Sequence, residues 1–140
     1  MAAIRLAETD SDIARCFDVM HQLRPKLMRE QFVSIIRTQQ GEGYQLAFLE
    51  EEDRVVSAAG FRMQQVLVSG KTLYVDDLVT DEHSRSKGHG EAMLQWLIER
   101  ARSSGCNTFS LDSGSHRFAA HAFYFRHRLR ITSFHFELPL

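Results

Sequence analysis

The segment Arg85-Ser86-Lys87-Gly88-His89-Gly90 constrains this chain more than any other, because it leaves a predicted strand and opens a strongly amphipathic helix. Glycines at 88 and 90 keep Cβ atoms away from the turn, so the free N–H groups of the helix's first turn can meet an anion closely. Those donors and the positive end of the helix dipole favour a phosphate or pyrophosphate. Arg85 and Lys87 add charge at the rim. The helix itself is marked by Met93, Leu94, Leu97, Ile98 and Ala101 at helical spacing, and Gly105 stands where a C-terminal cap belongs. A Gly-x-Gly before a helix is equally compatible with a plain tight turn. The two better-known phosphate patterns do not fit: no Gly-Lys-Ser/Thr closes a P-loop here, and the third glycine of a dinucleotide fingerprint is missing.

A chain of 140 residues, 44% of them hydrophobic, suits one domain spanning 1–140 with a real core. Seventeen basic residues against eighteen acidic ones leave a formal charge of −1, which offers no general attraction to nucleic acid or an anionic membrane. No apolar run approaches the roughly 20 residues of a membrane span. Met1 to Asp12 also lacks the basic-then-apolar order of a secretory signal, so a soluble, cytoplasmic protein is expected. Cys16 and Cys106 show no Cys-x-x-Cys spacing and are expected as reduced thiols. His116, His121 and His127 miss the i, i+4 geometry of a helical zinc pair, and no metal site is expected.

Ile4 to Ala7 is a short strand candidate. Thr9-Asp10-Ser11-Asp12 then offers caps for a helix with Ile13, Cys16, Phe17, Met20 and Leu23 on one face, up to Pro25. A second helix carries Met28, Phe32, Ile35 and Ile36 and ends before Gly41 and Gly43. Tyr44 to Glu50 and Arg54 to Val68 read as strands joined by the charged turn Glu51-Glu52-Asp53, and Ser69-Gly70-Lys71 turns into a third from Thr72 to Thr80. After the glycine loop and its helix come a strand from Asn107 to Asp112, a helix near Arg117 to Arg128 and a last strand from Arg130 to Leu138. The expected order is β-α-α-β-β-β-α-β-α-β.

That order, with an Arg-x-x-Gly-x-Gly loop between the fourth strand and the third helix, resembles the GNAT superfamily of acetyl-CoA-dependent N-acetyltransferases. The likeness spans nearly the whole chain. It implies an α/β (α+β) fold in which a mixed central sheet of six to seven strands, splayed near the middle, is flanked by four helices. Arg85, Gly88 and Gly90 fill the family's loop pattern, whose amides hold the CoA pyrophosphate. Acetyl-CoA is therefore implied as co-substrate, bound along Arg85, Ser86, Lys87, Gly88, His89 and Gly90. Many members also end a helix with an apolar residue, Tyr, three spacers, Gly and Phe. Phe123-Tyr124-Phe125-Arg126-His127-Arg128-Leu129 stands in that place, with Arg128 for the usual glycine and Leu129 for the usual phenylalanine. Arg117 replaces the asparagine often found seven residues before the tyrosine. Tyr124 falls on the tyrosine that in many relatives protonates the departing thiolate, a role suited to a phenol whose ordinary pKa is about 10. The other reading of Tyr124 is a packed core aromatic, since Phe118, Phe123 and Phe125 lie around it.

Leu73 to Thr80 matches the family's central strand, along which the pantetheine arm pairs with Leu78, Val79 and Thr80 as an inserted strand would. An N–H near Leu78 would polarise the thioester carbonyl, an effect on the order of a few kcal/mol. The resemblance implies direct attack in a ternary complex by a primary amine of a small molecule, peptide or protein. That amine is cationic at pH 7 and must lose a proton first, which makes Asp76 and Asp77 candidate bases. Strand alternation puts the two on opposite faces unless a bulge intervenes. His121 is a further candidate relay. The acceptor pocket is expected where the N-terminal helices meet near Pro25, with His21, Arg24, Lys26, Arg29 and Glu30, and along the final strand. It is either open or completed by a second subunit in a homodimer. A non-catalytic acyl-CoA-binding sensor on the same fold is the rival reading.

Overall fold

The computed structural model describes residues 3–85 and 87–140; Met1, Ala2 and Ser86 lie outside it. Among the described residues the chain runs β1 (Ala3–Leu6), α1 (Asp10–Arg15), α2 (Phe17–Leu23), α3 (Arg29–Gln40), β2 (Tyr44–Glu51), β3 (Arg54–Val66) and β4 (Gly70–Thr80). A 3-10 turn (Glu82–Ser84), α4 (His89–Ser103), β5 (Thr108–Leu111) and α5 (Phe118–Arg126) follow. The chain forms two compact units, Met1–Ser110 and Leu111–Leu140.

The first unit holds an antiparallel meander in which β1 pairs with β2, β2 with β3 and β3 with β4. β5 extends the sheet to the order β1-β2-β3-β4-β5. It is reached from β4 through α4, a crossover that makes the two strands parallel. Their starts are tied by the Asn107 amide donating to Lys71 O at 2.7 Å and by Thr72 Oγ1 donating to Thr108 O at 3.2 Å.

Tyr44, Leu46 and Phe48 alternate along β2 and join one buried cluster with Ile13, Phe17 and Phe32 of α1, α2 and α3. The stripe predicted for α4 is buried as well, with Met93, Leu94 and Leu97 fully enclosed and Trp96 edge-on to Phe61 of β3. Helices thus cover both faces of β2 to β4, and burial of each large apolar side chain contributes about 1.5–3 kcal/mol. Gly105 takes φ +77° just past α4, as its place in the sequence predicts.

Three expectations change. The N-terminal helix is two helices, because at Cys16 the backbone amide turns to Ile13 O and the thiol donates to Asp12 O instead. This switch to an i−3 bond interrupts the α ladder while the apolar stripe runs on through it. Five helices therefore stand among the described residues where four were expected, and five strands where six to seven were. The strand expected from Arg130 to Leu138 does not form. Phe134, Phe136 and Leu138 alternate as a half-buried strand would, yet all three are exposed. Alternation describes a face, whereas a strand also needs a neighbour for its backbone. The β3–β4 turn also sits earlier than expected, at 67–69, with β4 beginning at Gly70.

Candidate active site

Gly88 is the N-cap of α4 and holds φ +82°. A Cβ there would meet nothing within 4 Å, so what glycine supplies is the left-handed turn rather than space. Among the described residues no side chain caps the helix start, which leaves its first amides able to face an anion. Arg85 and Lys87 are exposed beside it, while Ser86 falls outside the described residues. His89 differs from its neighbours: its ring is buried, with Nε2 3.5 Å from Glu51 Oε2, so only its backbone belongs to the cradle.

At the other end of this segment, β4 carries a bulge. Val75 pairs with Phe61 and Asp77 with Gly60, so one extra residue, Asp76, sits between two consecutive β3 partners. Val75 and Asp77, though two apart, consequently face opposite sides of the sheet, and Asp77 joins the side of Tyr44. Asp76 is gripped by Arg62 of β3, with Nε donating to Oδ1 at 3.1 Å and Nη2 3.0 Å from Oδ2. Arg62 in turn lies 5.6 Å from the Tyr44 ring centroid. Asp77 accepts from the Tyr44 hydroxyl at 2.8 Å and from Arg24 Nε at 2.9 Å, and Arg24 Nη2 also donates to Asp76 O at 2.9 Å. The bulge thus brings both predicted carboxylates into one cluster. Burial pushes the Tyr44 phenol far above the ordinary tyrosine value, and the charge of Asp77, its hydrogen bond and the charge of Asp76 push the same way. The hydroxyl is a permanent donor there.

Of the side chains expected near the acceptor, Arg24 reaches the carboxylates from the end of α2. Arg29 pairs with Asp18 at 2.6 Å, and His21 stacks 5.2 Å from the Phe17 ring. The contribution expected from a final strand is absent with the strand.

Leu78, Val79 and Thr80 follow directly, paired on one edge with Ala59, Ala58 and Ser57, and Ser57 Oγ donates to Val79 O at 2.9 Å. β5 is only four residues long and starts beside Thr72. Running parallel from there, it ends about level with Val75, short of Leu78. Beyond Thr80, Asp81 accepts from Gln22 Nε2 at 3.0 Å and from Arg54 at 2.7 Å, tying the strand's exit to α2 and β3. The Gln22 hydrogen bond, the His83 amide and the Arg54 charge together hold its carboxyl below the usual carboxylate value, against the effect of burial.

In the second unit Tyr124 is half-buried on α5, its ring 5.6 Å from Phe123, and burial raises its phenol while Arg117 draws it down. The helix ends with the Leu129 amide on Tyr124 O and the Arg128 amide on Phe125 O, both at 3.0 Å. Arg128 takes φ +68° in this turn. A left-handed helix end is the position that favours glycine, and here arginine adopts it. His121 Nε2 lies 2.8 Å from Gly114 O, which employs it in the loop rather than as a relay.

Tyr44, Gly60, Arg62 and Asp81 escaped the sequence reading. One signal was present, since a glycine inside a strand pattern marks a bulge or a close backbone approach. Gly60 marks both.

The model of the acetyltransferase (GNAT) family matches residues 6–128. The chain is 33% identical over 112 residues to the uncharacterized N-acetyltransferase YhdJ of Bacillus subtilis (strain 168), covering 79% of each. An acetyltransferase of Trypanosoma brucei superposes with a TM-score of 0.82 at 23% identity, over 100% of both chains. Aminoglycoside N-acetyltransferase AAC(6')-Iy in complex with CoA gives 0.87 at 10% identity, over 100% of this chain and 95% of its own, so both share the fold.

Proposed function

The chain belongs to the GNAT acetyltransferases, and from that premise we propose that it moves an acetyl group from acetyl-CoA to a primary amine by direct attack within a ternary complex, in the cytoplasm. The observation that carries this reading is the β4 bulge, which puts a carboxylate cluster immediately before the backbone of Leu78 to Thr80. The uncapped start of α4 suits the diphosphate, and the left-handed Gly88 shapes the approach. That the AAC(6')-Iy structure contains CoA supports the same donor here.

Leu78 to Thr80, past the end of β5, offer amides and carbonyls for the pantetheine arm. Asp77 serves as the base. Arg62, 18% exposed, clamps both oxygens of Asp76, whereas Arg24, 51% exposed, touches one oxygen of Asp77 and can swing away. The amine gives one proton to Asp77, its nitrogen attacks the thioester carbon, and as the C–S bond breaks the nitrogen's second surplus proton passes through solvent to restore the Tyr124 phenol. The amide N–H near Leu78 steadies the developing oxyanion. Tyr124 donates its phenolic proton to the leaving thiolate, so no covalent enzyme intermediate forms.

Purified protein incubated with acetyl-CoA and a panel of amines, amino acids and peptides tests this. Acceptor-dependent release of free CoA is expected. Tight acetyl-CoA binding with no release across the panel would replace the enzyme by a binding module.

A further inference from the structure

Tyr44 opens β2, is 2% exposed and lies with its ring across Gly60 of β3. A Cβ at position 60 would collide with the phenol oxygen and the ring, so glycine is what admits the side chain. Gly60 is also the register partner of Asp77. The same glycine that makes room for the ring therefore aims its hydroxyl at the carboxylate, and the hydroxyl reaches Oδ2 at 2.8 Å.

Asp77 stands just after the bulge, and its register with Gly60 sets the face it occupies but not the rotation of its carboxylate. The phenol fixes one oxygen. The other, Oδ1, accepts from Arg24 Nε, a cation on a side chain half in solvent. We propose that Tyr44 is the positioning residue of the acceptor site: by holding Oδ2 it presents Oδ1 to a cationic primary amine at the place Arg24 occupies, and the amine enters by displacing Arg24. This inference rests on Asp77 being the base of the transferase reading.

The charged and titratable groups around Asp77 are Arg24 at the end of α2, the Tyr44 phenol on β2, Arg62 on β3 and Asp76 on β4, with the Cys16 thiol behind Tyr44. Arg24 and Arg62 balance the two carboxylates, so removing the phenol takes away one hydrogen bond and no charge.

Tyr44→Phe keeps the ring and removes the hydroxyl. With acetyl-CoA and spermidine, ethanolamine or a lysine peptide as acceptors, the variant should lower kcat/KM about tenfold, as a base displaced by a fraction of an ångström does. The loss should fall in kcat with the amine KM unchanged, the mark of an interaction made only in the transition state. Acetyl-CoA affinity measured by calorimetry should stay the same. Gly60→Ala, which forces the ring away, should reproduce this signature, and if it does not fold, Tyr44→Phe decides alone. A Tyr44→Phe enzyme with wild-type kcat and wild-type kcat/KM overturns this inference and leaves the transferase reading standing. Wild-type protein that binds acetyl-CoA yet acetylates none of the three amines overturns both.

Discussion

At the Asp76–Asp77 bulge the polar groups are side chains holding one another, whereas at the Gly88 turn the groups on offer are backbone amides and the shape depends on one positive φ. The first region is assembled from the end of α2, from β2, β3 and β4, and its oxygens already have partners. The second is a single stretch of chain whose helix-start amides have no side-chain cap among the described residues. The difference teaches that the two halves of the proposed reaction site would fail in different ways. Chemistry is lost in the first by changing an atom and in the second by changing a backbone angle.

The largest effect is expected from Asp77→Asn, which preserves shape and the Tyr44 contact but removes the base. Acetyl transfer should fall by about 10²–10⁴-fold with acetyl-CoA affinity intact, measured by steady-state kinetics and calorimetry. Asp76→Asn should do much less, and equal losses would erase the distinction between the clamped and the displaceable carboxylate. Gly88→Val tests the other region. A branched side chain at φ +82° costs about 1–3 kcal/mol, so acetyl-CoA should bind roughly tenfold to a hundredfold more weakly, while a folded variant with unchanged Kd would show that the turn is not the cradle.

Tyr124→Phe should lower turnover about tenfold or more while leaving acetyl-CoA affinity alone, because it removes a late proton donor and no cofactor contact. Equal turnover would return Tyr124 to a packing role. The smallest effect concerns Asp81, which anchors the segment between the two regions. Its carboxyl is held below 3.8, so it contributes stability that is full above that value and is lost as pH falls through the lowered folded value. Asp81→Asn should cost about 1–2 kcal/mol in urea unfolding at pH 7, and the gap to wild type should narrow as the pH falls below the ordinary carboxylate range. A gap that persists in acid would assign the loss to packing.

The glycine loop and α4 were legible because their signals are local: Gly88, the apolar spacing from Met93 to Ala101 and Gly105 lie in one stretch of chain. The carboxylates were legible as residues but not as a cluster. Their partners Arg24, Tyr44 and Arg62 come from elements whose register depends on a bulge that no periodicity reveals. The split of the first helix was hidden for the opposite reason, since Ile13, Cys16, Phe17 and Met20 keep one unbroken stripe across it. Residues 130–138 were overread because their alternation satisfies the side chains' half of a strand and says nothing of the backbone's half.

The carbonyl of Asp76 carries a consequence for which molecules can enter. Arg24 covers two acceptors at once, this carbonyl at 2.9 Å and Asp77 Oδ1 at 2.9 Å. Whatever displaces the guanidinium uncovers both, and each left bare would want a hydrogen. A primary ammonium brings three and can satisfy the pair with one to spare, while a tertiary ammonium brings one and must leave an oxygen unmet. If the acceptor enters by the proposed displacement of Arg24, counting hydrogens at that spot ranks acceptors before any pocket wall is considered, with unsubstituted amines first and fully alkylated ones last.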